Sequence, residues 1–222
     1  MSSLSSIILQ ANSQGYFFDK RPYKLNVVGV RNPTNTSPLK FEDEIAYFYY
    51  DDNGNLVGNV GVATTSPSIY FLENPINSKG AGILKQGQYK DAYSIGLHNG
   101  LYEALVQKKP VTVIRDADRN SIINLFAPTQ TGLFGINIHR ATAGKNDTSI
   151  IGRDSAGCQV FENVEDFDAM MDMAYRSKDM YGNTFTYTLI DQKNVITNYT
   201  LIGALVLGIG AYIYYLKRKK IF

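Results

Sequence analysis

Between residues 20 and 140 the apolar positions come in short β-branched and aromatic runs broken by Gly, Asn, Asp and Pro, the pattern of strands joined by turns. The spacing predicts strands over 24–31 and 44–50. Asp51-Asp52-Asn53-Gly54-Asn55 then reads as a hairpin turn, because Asn-Gly tolerates positive φ, with a return strand over 56–63. Further strands are expected near 82–88, 93–98, 111–115, 135–139 and 184–190. The period changes after Asn163. Val164, Phe167, Met171 and Ala174 fall on one helical face, Glu165, Asp166 and Asp168 sit where the helix dipole favours anions, and Arg176 and Lys178 sit at the opposite end. Asn163 is expected to cap this helix, Gly182 to stop it, and its methionines to pack onto the sheet. The fold class is mainly β with one or two helices (α+β).

A third pattern occupies the end of the chain. Residues 195–216 are 22 consecutive uncharged positions, followed at once by Lys217-Arg218-Lys219-Lys220. About 20 residues at ~1.5 Å each cross a hydrocarbon core of ~30 Å, so this run reads as a transmembrane helix with interfacial Tyr199, Tyr212, Tyr214 and Tyr215. The layout is an N-terminal arm (1–19), a β-rich domain (20–194), the membrane helix (195–216) and a basic tail (217–222). The positive-inside rule puts the tail in the cytoplasm and the domain outside. The N-terminus, MSSLSSIILQ, has no basic start and is a poor secretory signal. That conflict points to a phage protein made in a host cytoplasm, with a host or virion membrane and capsid proteins among its partners.

Charge and cysteine content narrow the chemistry. The whole chain is +2, but residues 1–194 carry net −2, which argues against nucleic acid as a partner of the domain. One cysteine, Cys158, excludes an intrachain disulfide, and with only His98 and His139 beside it the chain is a poor candidate for a transition-metal site. No cofactor is expected. Asp116, Asp118 and Asn120 begin a calcium-loop spacing, but no Gly follows at the sixth position and no Glu at the twelfth.

The remaining chemistry is nucleophilic. A free thiol in the turn Ser155-Ala156-Gly157-Cys158, preceded by Ile136-Asn137-Ile138-His139, pairs a nucleophile with a base. Such a thiol is expected to be accessible, with a pKa well below 8.5, and the amides of Gly157 and Cys158 to form an oxyanion hole. His98, in YSIGLHNG, reads as a structural or surface histidine that also has access to a substrate cleft. The order His then Cys differs from papain-like enzymes, and SAGCQ is not a caspase signature. The segment resembles the motif of YkuD-type L,D-transpeptidases, in which a His precedes, by a spacer of similar length, [Ser/Thr]-His-Gly-Cys. Here 15 residues separate His139 from Ser155-Ala156-Gly157-Cys158. Ala156 stands where that motif has its second His, and Gln159-Val160 where it has a hydrophobic residue and Asn or Arg.

The resemblance implies an L,D-transpeptidase-like β-sandwich. It also implies Cys158 as nucleophile, His139 as base, the Arg140 backbone carbonyl as the group that orients the ring, and Ser155 and Gly157 in the nucleophile turn. The implied substrate is peptidoglycan: the thiolate attacks a stem-peptide carbonyl, expels D-alanine and leaves a thioester that an amine or water resolves. Crosslinking, carboxypeptidase and endopeptidase outcomes share these residues. The rival expectation is a non-enzymatic structural protein of a membrane-containing virion, with Cys158 buried and unreactive.

Overall fold

The segment Asn26–Arg31 is buried at every position, which a strand with one wet face would not be. In the computed structural model, which describes residues 1–142 and 149–192, the reason is a layer on each side of it. Val27 faces an interior shared with Tyr47, Tyr93, Phe161, Phe185 and Tyr187. Val28 and Val30 face outward against Ile7 and Ala11 of the helix α1 (Leu4–Ser13). The expected N-terminal arm is therefore a capped helix: the Ser3 hydroxyl accepts from the Ser6 N–H at 3.2 Å, and the apolar side of α1 is part of the domain.

The strands are β1 (Asn26–Arg31), β2 (Asp43–Tyr50), β3 (Leu56–Thr64), β4 (Ala81–Leu84), β5 (Gly87–His98), β6 (Tyr102–Gln107), β7 (Val111–Asp116), β8 (Thr129–Gly132), β9 (Ile138–Arg140), β10 (Gln159–Phe161) and β11 (Phe185–Asp191). A short helix, α2 (Ile69–Glu73), and a long one, α3 (Val164–Tyr181), complete the described chain. The fold is mainly β. Eight strands close a barrel in the order β1-β11-β5-β6-β9-β10-β3-β2, and β4-β7-β8 form a separate small sheet. A closed barrel replaces the expected sandwich, and three helices, counted among the described residues, replace one or two. Closure depends on β1 pairing in parallel with β11, from Val27 opposite Tyr187 to Arg31 opposite Asp191.

Helix α3 packs Phe167, Met170, Met171 and Ala174 into the core, while Val164 is half-buried. Asn163 occupies the N-cap position without a side-chain bond, so the first turn relies on Glu165 and Asp166. The expected strand over 82–88 is two strands belonging to different sheets, because the chain leaves the small sheet after Leu84 and enters the barrel at Gly87. The expected membrane helix (195–216) and the basic tail (217–222) lie outside the described residues. Among the described residues no helix is long and apolar enough to cross a membrane.

Candidate functional site

The candidate residues sit at the shortest strands of the barrel. Strands β9 and β10 have three residues each and run parallel, with Ile138 opposite Gln159 and His139 opposite Val160. Neighbours across a ladder share a face and alternate along a strand. Ile138 and Phe161 accordingly join the barrel core, whereas Val160 and Cys158 pack outside it with Phe41, Ala141 and Ile151. His139 shares that outer face, and Cys158 comes one position before β10, beside Asn137.

The turn that presents Cys158 is held from below. Ser155 is fully buried, its hydroxyl lying 2.9 Å from both the Ser66 and the Cys158 carbonyl oxygens. The same oxygen accepts the Gly157 N–H at 3.2 Å, and the Ser155 carbonyl accepts from Ser68 N–H. Gln159 points into the barrel, accepting from Tyr187 Oη at 2.7 Å and donating to the Gly157 carbonyl at 3.1 Å. Gly157 has φ +129, and a Cβ on it would sit 2.2 Å from the Gly82 carbonyl oxygen, so only glycine passes here. Ser155 is thus a strut of the turn. The Gly157 amide, expected in an oxyanion hole, is already donated to it, and the Cys158 N–H has no hydrogen-bond partner among the described residues.

Cys158 Sγ receives the Asn137 N–H at 3.4 Å and lies 3.4 Å from the Gly135 carbonyl, to which the thiol donates. Burial pushes this thiol up to about 11, only partly offset by the Asn137 amide, so the expected low-pKa, accessible thiol is corrected: at rest Cys158 is a buried neutral S–H. His139 is also held neutral. Its pKa falls to about 3, first through burial and then through the neighbouring His98.

The imidazole of His139 is fixed on one side. Nδ1 lies 2.8 Å from the Arg140 carbonyl oxygen, a pure acceptor, so Nδ1 carries the proton and Nε2 the lone pair. Tyr102 Oη donates to the same carbonyl at 3.2 Å and lies 3.3 Å from Nδ1. The Arg140 guanidinium stacks over the Tyr102 ring at 4.3 Å. Nε2 is buried and has no hydrogen-bond partner among the described residues. No hydrogen bond joins it to Sγ, and the two residues line different clefts: Cys158 one of about 320 Å³ with Phe71, Gly82, Arg115 and Phe134, His139 one of about 490 Å³ with His98, Tyr102 and Arg153.

His98, expected to be structural or on the surface, stacks on His139 with ring centroids 4.0 Å apart and planes 21° from parallel. Asn137 Oδ1 accepts the Gln107 N–H, which fixes its amide so that Nδ2 donates to His98 Nδ1 at 3.0 Å. Asn137 therefore touches the thiol through its backbone and His98 through its side chain. A signal for this lay in Asn99-Gly100, whose φ values of 50 and 72 make a tight hairpin that sets His98 opposite Tyr102.

The acidic loop forms no cradle for a cation. Asp116 is buried and accepts the amides of Asp118 and Asn124, Asn120 Oδ1 accepts from Ile122 N–H, and Asp118 accepts from the Asn124 side chain. These carboxylates close a turn. Among the described residues no three His, Cys, Asp or Glu side chains converge to hold a metal. No protein family, characterised protein or solved structure matches this chain.

Proposed function

We propose that the protein is a cysteine acyltransferase of the L,D-transpeptidase type acting on peptidoglycan stem peptides, as a transpeptidase, carboxypeptidase or endopeptidase, membrane-anchored through residues 195–216. The phage wall-opening or wall-remodelling role belongs to the same proposal, as does the topology with the domain outside and the tail in the cytoplasm. The observation that carries the chemistry is the orphaned Nε2 of His139. A buried acceptor without a donor costs about 1–3 kcal/mol and calls for an explanation, and a general base awaiting a proton is one. The substrate class rests on the motif resemblance of residues 139–158 alone.

In this reading substrate entry has to bring the Cys158 S–H, which rests on the Gly135 carbonyl and lines a different cleft from the imidazole, within reach of His139 Nε2. As Sγ bonds to the carbonyl carbon, Nε2 takes the thiol proton and the carbonyl π pair moves onto oxygen, where the Cys158 N–H receives it. Collapse of the tetrahedral intermediate breaks the C–N bond. The proton on Nε2 goes to the departing amine, and the acyl group stays on Sγ as a thioester. Water or an amine then attacks that carbon, giving its proton to Nε2 and returning the thiol. Both groups are neutral at rest, so the proton moves only as the nucleophile attacks, and in this reading bound substrate has to raise the imidazole from about 3 and lower the thiol from about 11 for the transfer to run.

The second reading, a structural protein of a membrane-containing virion, is favoured by the burial of Cys158 and its high pKa. Full-length protein and Cys158→Ala, incubated with purified sacculi and defined muropeptides and followed by mass spectrometry, separate the two. Cysteine-dependent products with a thioester adduct on Cys158 are expected. Identical product profiles from folded wild type and variant would leave the structural role.

A further inference from the structure

Two arginines are buried in the described domain, and they are satisfied very differently. Arg31 donates to Thr65 Oγ1 and to the Thr65 and Leu84 carbonyls at 2.8–3.2 Å, and the carboxylate of Asp43 acts on it electrostatically. Arg115, on β7, is only 8% exposed. Of its five N–H donors two are used: Nε donates to Gln130 Oε1 at 2.8 Å, and Nη1 reaches the Gly80 carbonyl at a long 3.3 Å. Its plane rests on the Phe134 ring at 4.5 Å. Among the described residues no carboxylate forms an ion pair with it, and the adjacent Asp116 spends both oxygens on loop amides. Burial alone lowers its pKa, with no opposing charge to restore it. A cation partly withdrawn from water with no counter-ion beside it is a natural place for an anionic partner.

The place of this cation gives it a use. Arg115 and Cys158 line the same cleft of about 320 Å³, whose walls include Phe71, Phe134 and Ile136. Gly82 lies between them. It is opposite Arg115 in the β4–β7 ladder, its carbonyl abuts Gly157, and a Cβ on it would stand 3.3 Å from Arg115 Nη1. A bare backbone at that point keeps the guanidinium open toward the thiol's turn. Planar guanidinium N–H pairs match the oxygens of a carboxylate or a phosphate, and the apolar walls beside this guanidinium suit the carboxylate of a small acyl compound.

We propose that Arg115 is the carboxylate-docking residue of the Cys158 cleft, so that the ligand this cleft takes is a small acyl compound with an apolar body and a free carboxylate. Where Cys158 is the nucleophile, a point that rests on the reading above, the preferred donors carry a free acid near the attacked bond, which favours carboxypeptidase or transpeptidase chemistry over cleavage inside a blocked peptide. The amide of the same compound lacks the charge and binds poorly.

The test uses full-length protein with N-acetylalanine and, separately, N-acetylalaninamide. The Nε–H resonance of Arg115, identified by its loss in Arg115→Gln, reports docking, and the rate of iodoacetamide labelling at Cys158 reports occupancy of the cleft. The acid should shift the resonance saturably and slow labelling, the amide should do neither, and Arg115→Gln should need about tenfold more acid for equal protection, the loss of one charge-assisted contact. Equal responses to acid and amide, or no response to either, would overturn the proposal in the wild type without recourse to any variant. A thiol that never labels, beside an Arg115 that still reports the acid, would sink the nucleophile and uphold the carboxylate site.

Discussion

His139 concentrates the tension of the site in one ring. Its proton is pinned at Nδ1 by the Arg140 carbonyl, its other nitrogen is buried without a donor among the described residues, and a second imidazole lies on its face. Folding thus holds this histidine neutral to about pH 3, whereas in the unfolded chain it takes a proton below about 6.5. The unfolded state then binds more protons, so stability falls as pH drops from about 6.5 toward 3. His139→Gln removes that dependence, and melting curves of wild type and variant between pH 7 and 4 should converge as the pH is lowered, by up to a few kcal/mol. A constant gap across that range would mean the ring is not held neutral. Cys158 and His139 could be singled out in the sequence because their spacing is a local property, whereas their placement in different clefts could not be read there. Arg115 could not be singled out: it stands 43 positions before Cys158 on another sheet, and an isolated arginine in a strand carries no sign of whether an acid will meet it.

At the scale of elements, the turn 155–158 shows how little chain can place a thiol. Ser155, Gln159 and the close passage of Gly157 past Gly82 hold it to the loop after β3, to the barrel interior and to β4. Gly157→Ala forces a Cβ onto a backbone oxygen at 2.2 Å with φ +129, and the turn has to move. We expect a loss of roughly 2–4 kcal/mol together with faster thiol labelling, read by chemical denaturation and iodoacetamide kinetics. An unchanged midpoint would mean that β4 is not seated against the turn. The hairpin at Asp51–Asn55 was readable because Gly54 N–H closes it onto the Asp51 carbonyl and the Asp51 carboxylate takes two more amides, all within five residues. Strands β9 and β10 left only a faint pattern. Three residues are too few for an alternation to stand out, and their neighbours, not their own sequence, make them strands.

For the whole molecule, closure was out of reach of any local pattern, because β1 and β11 are separated by most of the domain and each alone reads as an ordinary buried strand. The second layer over β1 was missed for a related reason. LSSIILQANS is short and half polar, and only when Ile7 and Ala11 meet Val28, Val30 and Phe48 does it become more than an arm. Ile7→Ala should cost about 2–5 kcal/mol and lower the melting temperature by roughly 5–15 °C, since the residue is 2% exposed and packs in the cluster between α1 and β1. A melting temperature within a degree of wild type would return the segment to the status of a loose arm.

The parallel pairing of the first and last strands also sets how the domain bears tension. If the chain is pulled at Asn26 and at Asp191, the two strands are drawn past each other along their length. All five residue pairs of the β1–β11 ladder are then loaded at once, in shear, and cannot unzip in sequence. Forced opening is governed by the unfolding barrier, so rupture requires the whole ladder to yield in one event. The same barrel pulled across β2 and β3, which run antiparallel around a hairpin, would peel pair by pair. A load carried from one end of the described domain to the other meets the stiffer of these two directions.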